Sequence, residues 1–419
     1  MAMLNFPECW AKWATSWRRR TQDSLIFIVT FAPMAVALRY KWAELILPLA
    51  AFPLAVLLAG SSESRAAVAD TFSAWLRSAV GILSLMAGIW LSASPLWGPD
   101  AAFAANNAVK AVGIIAAALV VMAILKTIPA DRIFPLLILF TTSAICIAMF
   151  TALSGGLAHR AVGCCRNGMQ ADMTGSAVTI ALFIWPCIGW LVLKGQRLYA
   201  VLIFILACLL IAVSKSGAAG LALLAGSVAL ALGLLLPRLA ATAAIIVTLL
   251  SFVAAPLLGD FGHLLGTSGM LDHLTKYHAG ERLQIWSYYI DLFWQRPWVG
   301  FSIGAERLLG DPARAAEFTS LAPPRYADLH PHNAPLQVLF EFGIIGAVLA
   351  LALAGAAVGR LYVRPHAGLA FALASGVAFF AAGVVNFSLW ESWWLSVVSL
   401  AFIFSARLAQ HAASSSRVG

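Results

Sequence analysis

Long apolar runs, separated by short polar breaks, dominate the chain. Twelve of them reach or approach the roughly 20 residues that a helix needs to cross hydrocarbon. They lie near residues 24–40, 42–60, 74–96, 108–127, 133–153, 176–194, 197–213, 217–236, 238–258, 335–361, 366–388 and 392–408. Between the ninth and tenth the rhythm stops, and residues 259–334 read as one long loop. Structureless loops beyond about 15 residues are usually functional or disordered. This one holds Trp286, Tyr288, Tyr289, Phe293, Trp294 and Trp298, too many aromatics for disorder. Within it, "ERLQIWSYYIDLFWQ" places Leu283, Trp286, Ile290 and Phe293 at helical spacing, which predicts an amphipathic helix over 281–295. "RPWVG" then ends that helix, with Pro297 as breaker and Gly300 and Gly304 allowing tight turns. The pattern predicts an all-α integral membrane protein of about twelve transmembrane helices. Its parts are helices one to nine (1–258), an outer loop with short helices (259–334), helices ten to twelve (335–408) and a tail (409–419).

Composition agrees. Of 419 residues, 62% are hydrophobic and 11% charged, against about 25% charged in a soluble domain. The formal charge of +9 is first a topogenic signal, because Lys and Arg stay on the cytoplasmic side. With the N-terminus inside, fifteen of the 27 Lys and Arg fall inside. Six fall in short outer loops and six in the long loop. Long loops cross regardless of charge, so the short ones decide, and both termini are expected to be cytoplasmic. The basic "WRRR" leads into an apolar run of spanning length, unlike a cleaved signal. No basic or aromatic-basic module stands outside the spans, so nucleic acid is not an expected partner.

Five of the eight histidines lie in the outer loop: His263, His273, His278, His330 and His332. No Walker-type phosphate loop is present, which argues against ATP hydrolysis. Nor is there an Asp-x-Asp pair to grip a metal on a sugar nucleotide. His330 and His332 have only Asp328 within a few residues, so no metal or other cofactor is expected. Cys164 and Cys165 stay unassigned. His332 admits two readings. An imidazole takes a proton near neutral pH, but a histidine at a helix mouth also serves as a capping or interfacial group. Asn333 beside it is placed to cap the following helix, and His330, separated by Pro331, reads as a bystander. Arg282 and Lys215 are cations near the outer surface. Together they could clamp a diphosphate; Lys215 alone also fits snorkelling, and Arg282 fits a salt bridge with Glu281 or Asp291. Glu341 and Gln337 sit inside the tenth span, where a carboxylate is rarely decorative, and Glu341 is expected to pair with a cation of the clamp. In "NFSLWESWW", beginning at Asn386, Trp390, Trp393 and Trp394 fit an interfacial aromatic belt.

Two stretches carry a resemblance. "ERLQIWSYYIDLFWQRPWVGFSIG" resembles the Arg…Trp…Pro-x-x-Gly block of the O-antigen ligase and polymerase superfamily. "HNAPLQVLFEFGIIG" resembles its His-Asn…Leu-Gln…Glu-x-Gly-x-x-Gly block. The resemblance is specific over about 260–350 and loose elsewhere. It implies a metal-independent, inverting glycosyltransferase of the GT-C type with a periplasmic site in the Gram-negative inner membrane. The donor would be undecaprenyl diphosphate-linked O-antigen and the acceptor lipid A–core oligosaccharide. By the same resemblance His332 would be catalytic or would orient the acceptor, and Arg282 would bind the donor diphosphate. Lys215, in "SKSG" where the family has Ser-Arg-Gly, would replace an arginine. Asn333, Trp286 and Glu341 would support the site, with Arg166 from the outer loop within 154–180. Two other readings stay open. A polymerase would use the same donor and extend another lipid-linked repeat. A transporter or flippase would carry charges and broken helices near the bilayer midplane.

Overall fold

The computed structural model describes residues 6–161, 169–267, 279–316, 319–321, 330–363 and 365–415. Arg166, Cys164, Cys165, His273, His278 and Asp328 lie outside them. The described residues are helical, without strands. Among the described residues ten helices are long and apolar enough to cross a membrane, and the protein is a multi-pass membrane protein. An eleventh span is the pair Thr15–Thr30 and Ala32–Leu38, bent by 44°. Pro33 near the start of its second half accounts for the break. Ala367–Gly383, 17 residues long, corresponds to the eleventh apolar run of the sequence. All twelve runs are therefore helices. Ser62–Leu76, between two of the spans, is also a helix, one the hydropathy pattern did not mark.

The chain forms two compact units, each built from separate stretches of sequence. The first comprises residues 1–75, 114–223 and 396–419. Its central span is Met173–Leu193, 89% buried, where Phe134 stacks on Trp190 at 4.6 Å. Ion pairs join its helices: Asp23 with Arg132 at 2.6 Å and Asp131 with Lys194 at 2.6 Å.

The second unit comprises residues 76–113 and 224–395. The amphipathic helix expected over 281–295 runs Ala279–Gln295 and packs against Pro237–Thr267. Ser287 donates to the Gly259 carbonyl at 2.8 Å. A Cβ on Gly259 would fall 2.6 Å from Ile290, so the glycine lets the two backbones close in. Behind them Tyr289 and Phe301 flank Phe340, at 4.9 and 5.1 Å.

The long helix Ala334–Val363 is not continuous. At Gly343 the backbone takes φ 64 and ψ −164, a conformation open only to glycine. In an unbroken helix the carbonyls of Phe340 and Glu341 would accept from the amides of Ile344 and Ile345. Here the segment after Pro297 enters the gap. Phe301 and Ser302 donate to the Phe340 and Glu341 carbonyls at 2.9 and 2.8 Å, while Ile344 and Ile345 donate to Pro297 and Trp298 at 2.8 and 3.3 Å. Two helical bonds become four cross-chain bonds. The backbones touch: a Cβ at Gly300 would lie 2.4 Å from the Glu341 carbonyl carbon, and one at Gly343 2.3 Å from that of Trp298. The glycines of "PWVG" and "EFG" are thus the two faces of one joint. Trp90 and Trp97 add indole N–H donors to the carbonyls of Phe342 and Val299 at 3.3 and 3.1 Å.

Gly343→Ala is expected to cost about 3 kcal/mol or more, since strain and overlap add. Gly355→Ala, in the same helix with nothing within 4 Å of the added Cβ, is expected to be neutral. Thermal unfolding of both variants in detergent tests the joint, and equal midpoints would refute it.

Candidate active site

Four residues lead into the broken helix: His330, Pro331, His332 and Asn333. Asn333 is the cap, accepting the Leu336 amide on its side-chain oxygen at 3.2 Å. The backbone between the histidines is held from the amphipathic helix, where the Trp286 indole donates to the Pro331 carbonyl at 2.7 Å. His332 has φ 50, the left-handed region that costs a non-glycine residue energy. The turn folds the chain back so that both rings meet one acceptor. His330 Nε2 lies 2.6 Å and His332 Nδ1 2.8 Å from the backbone oxygen of Asn386, with ring centroids 4.0 Å apart. His330 is therefore no bystander, and the cap at this helix mouth is Asn333 rather than His332.

A carbonyl only accepts, so both rings donate to it. That assigns Nδ1–H to His332 and leaves Nε2 with a free lone pair. Burial pushes His332 down from 6.5 to about 4, helped by neighbouring His330 and the Arg282 charge. His330 is lowered for the same first reason, with Arg307 and Arg282 adding to it. The site thus presents a neutral imidazole base in the field of two guanidinium groups.

Beneath it lies a buried polar chain. Gln337 and Glu341, one turn apart on the broken helix, are both buried, as are Glu306 and Ser388. Gln337 donates to Ser388 at 3.0 Å, and Ser388 to Glu306 at 3.0 Å. Glu341 accepts from the Gly304 amide at 2.9 Å, from Gln337 at 3.4 Å and from the Trp390 indole. Glu341 thus takes neutral donors where a pairing with the clamp was expected. The tryptophans are corrected as well. Trp393 and Trp394 are 3% and 1% exposed and belong to the core rather than to an interfacial belt, while the half-buried Trp390 donates to Glu341. The helix expected over 366–388 stops at Gly383, because the following residues are drawn out to serve this network. Asn386 offers its carbonyl to the histidines, and the Leu389 amide donates to Gln337 at 3.1 Å.

The structure brings together His332, Asn333, Trp286, Arg282 and Glu341 in the second unit. Lys215 belongs to the first unit. It occupies a left-handed position, φ 54, at the end of Arg197–Ser214, with Ser216 beyond it accepting from the Ala219 amide at 3.3 Å. Sequence reasoning missed Glu306, Ser388, Arg307 and the Asn386 carbonyl. Only the Gln337–Glu341 spacing signalled a buried polar partner, and it does not name one. Arg307 leaned on no motif; its guanidinium lies 3.8 Å from Glu306 and 3.9 Å from Glu391.

Residues 200–351 match a family model described as O-Antigen ligase. A protein of Rickettsia felis named "Putative polysaccharide ligase" is 24% identical over 225 residues, 52% of this chain and 53% of the relative. One of Rickettsia conorii with the same name is 26% identical over 130 residues, 29% of this chain and 30% of the relative. The chain spans about half or less of the length of the curated relatives it matches. The family match includes Lys215, Arg282, Glu306 and His332, and ends before Asn386.

Because the fold holds His332 neutral, its contribution to stability is whole above about pH 6.5, falls as pH drops from 6.5 to about 4, and levels off below. The unfolding midpoint in detergent is expected to fall across that window, with a shallower slope in His332→Gln. Identical slopes would mean that the ring is not desolvated.

Proposed function

We propose that this chain, whose residues 200–351 match a family model described as O-Antigen ligase, transfers O-antigen polysaccharide from undecaprenyl diphosphate to lipid A–core oligosaccharide. The observation that carries the reading is the placement of His332 Nδ1 against the Asn386 carbonyl. Its Nδ1–H is committed to the Asn386 carbonyl, and its Nε2 is a neutral base beside Arg282.

In the proposed step an acceptor hydroxyl oxygen attacks the anomeric carbon of the donor sugar. The new C–O bond forms as the bond to the diphosphate breaks, inverting the carbon. The diphosphate leaves with the bonding electrons, and the hydroxyl proton passes to His332 Nε2. Arg282 stabilises the charge on the departing diphosphate, as preorganised cations do where charge develops. Lys215, by the resemblance of its "SKSG" stretch, is also proposed to contribute a point charge to donor binding. Donor and acceptor are both lipid-anchored, which suits a scaffold made of spans. The surplus of Lys and Arg in the short loops taken as internal supports cytoplasmic termini and a periplasmic site in a Gram-negative inner membrane.

Complementation tests this. In a ligase-deficient strain, wild type is expected to restore the O-antigen ladder on core. His332→Ala and Arg282→Ala should fail to do so at equal expression, with transfer reduced by roughly 10²–10⁴ for loss of the base. Lys215→Ala is expected to weaken it. Wild type that restores nothing there, but restores chain length in a polymerase-deficient strain, would make the protein a polymerase instead.

A further inference from the structure

Two histidines share one carbonyl, and the transfer proposed above needs only one of them. In an extended chain, residues i and i+2 stand about 7 Å apart along one face. Here the rings lie 4.0 Å apart because His332 sits in the left-handed region and Trp286 pins the intervening Pro331 carbonyl. Such strain persists where the surroundings enforce it, commonly at functional sites. The Asn386 oxygen has two lone pairs, one facing His332 Nδ1 and the other His330 Nε2.

We propose that His330 is a positioning residue, holding His332 in the tautomer whose Nε2 takes the acceptor proton. It does so in two ways. It fills the second lone pair of the shared carbonyl, so the oxygen stays fixed between the rings. It also stands against the His332 ring, so that ring cannot rotate about χ2 to bring another atom to the carbonyl. Charged groups reach the pair from two sides: Arg282 on Ala279–Gln295 and Arg307 on the turn Ala305–Leu308. From the third side, residues 384–391, the direct contact is the neutral Asn386 carbonyl, and Glu391 of the same segment lies 3.9 Å from Arg307. Proton placement here is therefore left to the two rings themselves. The inference rests on His332 being the base of the proposed transfer.

Three variants separate the parts of the argument. His330→Gln keeps an N–H at about the reach of Nε2, His330→Phe keeps a ring without a donor, and His332→Gln marks the base. Each is purified at full length in nanodiscs and assayed with undecaprenyl diphosphate-linked O-antigen and lipid A–core. In parallel, ¹⁵N-histidine NMR reads the His332 tautomer, its signals identified by their loss in His332→Gln. The phenylalanine variant is expected to lose about tenfold in kcat, the scale of one hydrogen bond, with the acceptor KM unchanged. Its His332 should show both tautomers. The glutamine variant should recover most of the rate and the single Nδ1–H form. Wild-type kcat and a single tautomer in His330→Phe would overturn the proposal. So would a glutamine variant as impaired as phenylalanine. If the phenylalanine variant does not fold, His330→Asn, one methylene short, gives the same comparison. Should wild type transfer nothing to lipid A–core, the ligase reading falls, and the tautomer measurement still decides what His330 does to its neighbour.

Discussion

The second unit is organised around a backbone obligation. A span opened at Gly343 releases carbonyls and amides that cannot remain unpaired away from water. The chain answers with itself, laying Pro297–Ser302 into the opening so that every freed group named above finds a partner. Contact at this distance excludes side chains, which is why the two glycines face each other's neighbours. The glycines of the two motif blocks are, in this part, the terms of a close backbone fit.

The rest of the site hangs from that joint. Ser302, with φ 86, turns the inserted segment toward Gly304, whose amide reaches the Glu341 carboxylate. The same turn buries Glu306 against Ser388. The half-helix Ala334–Phe342 is tied at one end to the joint and at the other to the Asn333 cap, with the histidines just before it. The turns after Gly383 are stitched to this half-helix through Gln337. Rigid surroundings of this kind allow His332 to keep an unfavourable backbone angle.

Much of the architecture was legible in the chain. The twelve apolar runs all fall on helices, ten of them long and apolar enough to span, because a membrane imposes length and hydropathy on each one independently of its neighbours. The amphipathic helix was legible for a similar reason, as Ile290 and Phe293 bury one face. The break at Gly343 was not, because glycines are common in spans and the partner segment lies over forty residues away in sequence. His332, Asn333 and Trp286 could be singled out by residue type and position. Glu306 could not, since nothing local in "GAERLLG" says that its carboxyl is buried while its neighbour Arg307 is exposed. Likewise, a backbone oxygen such as that of Asn386 carries no residue signature, although it decides which nitrogen of His332 is free. The tryptophans after it were misread because belt and core tryptophans have the same composition.

An imidazole backed by a carboxylate is helped to carry a proton, because the partner's negative charge stabilises the imidazolium. Here the backing group is a peptide oxygen shared between two rings, with guanidinium groups nearby. Such a base can accept a proton only once the hydroxyl has become acidic, when its bond to the sugar is largely made. In the transfer proposed, the driving work therefore falls on departure of the diphosphate. Proton transfer comes late, and the sugar passes through an oxocarbenium-like state before the acceptor is fully joined to it. An enzyme arranged this way gains more from stabilising the leaving group than from strengthening its base.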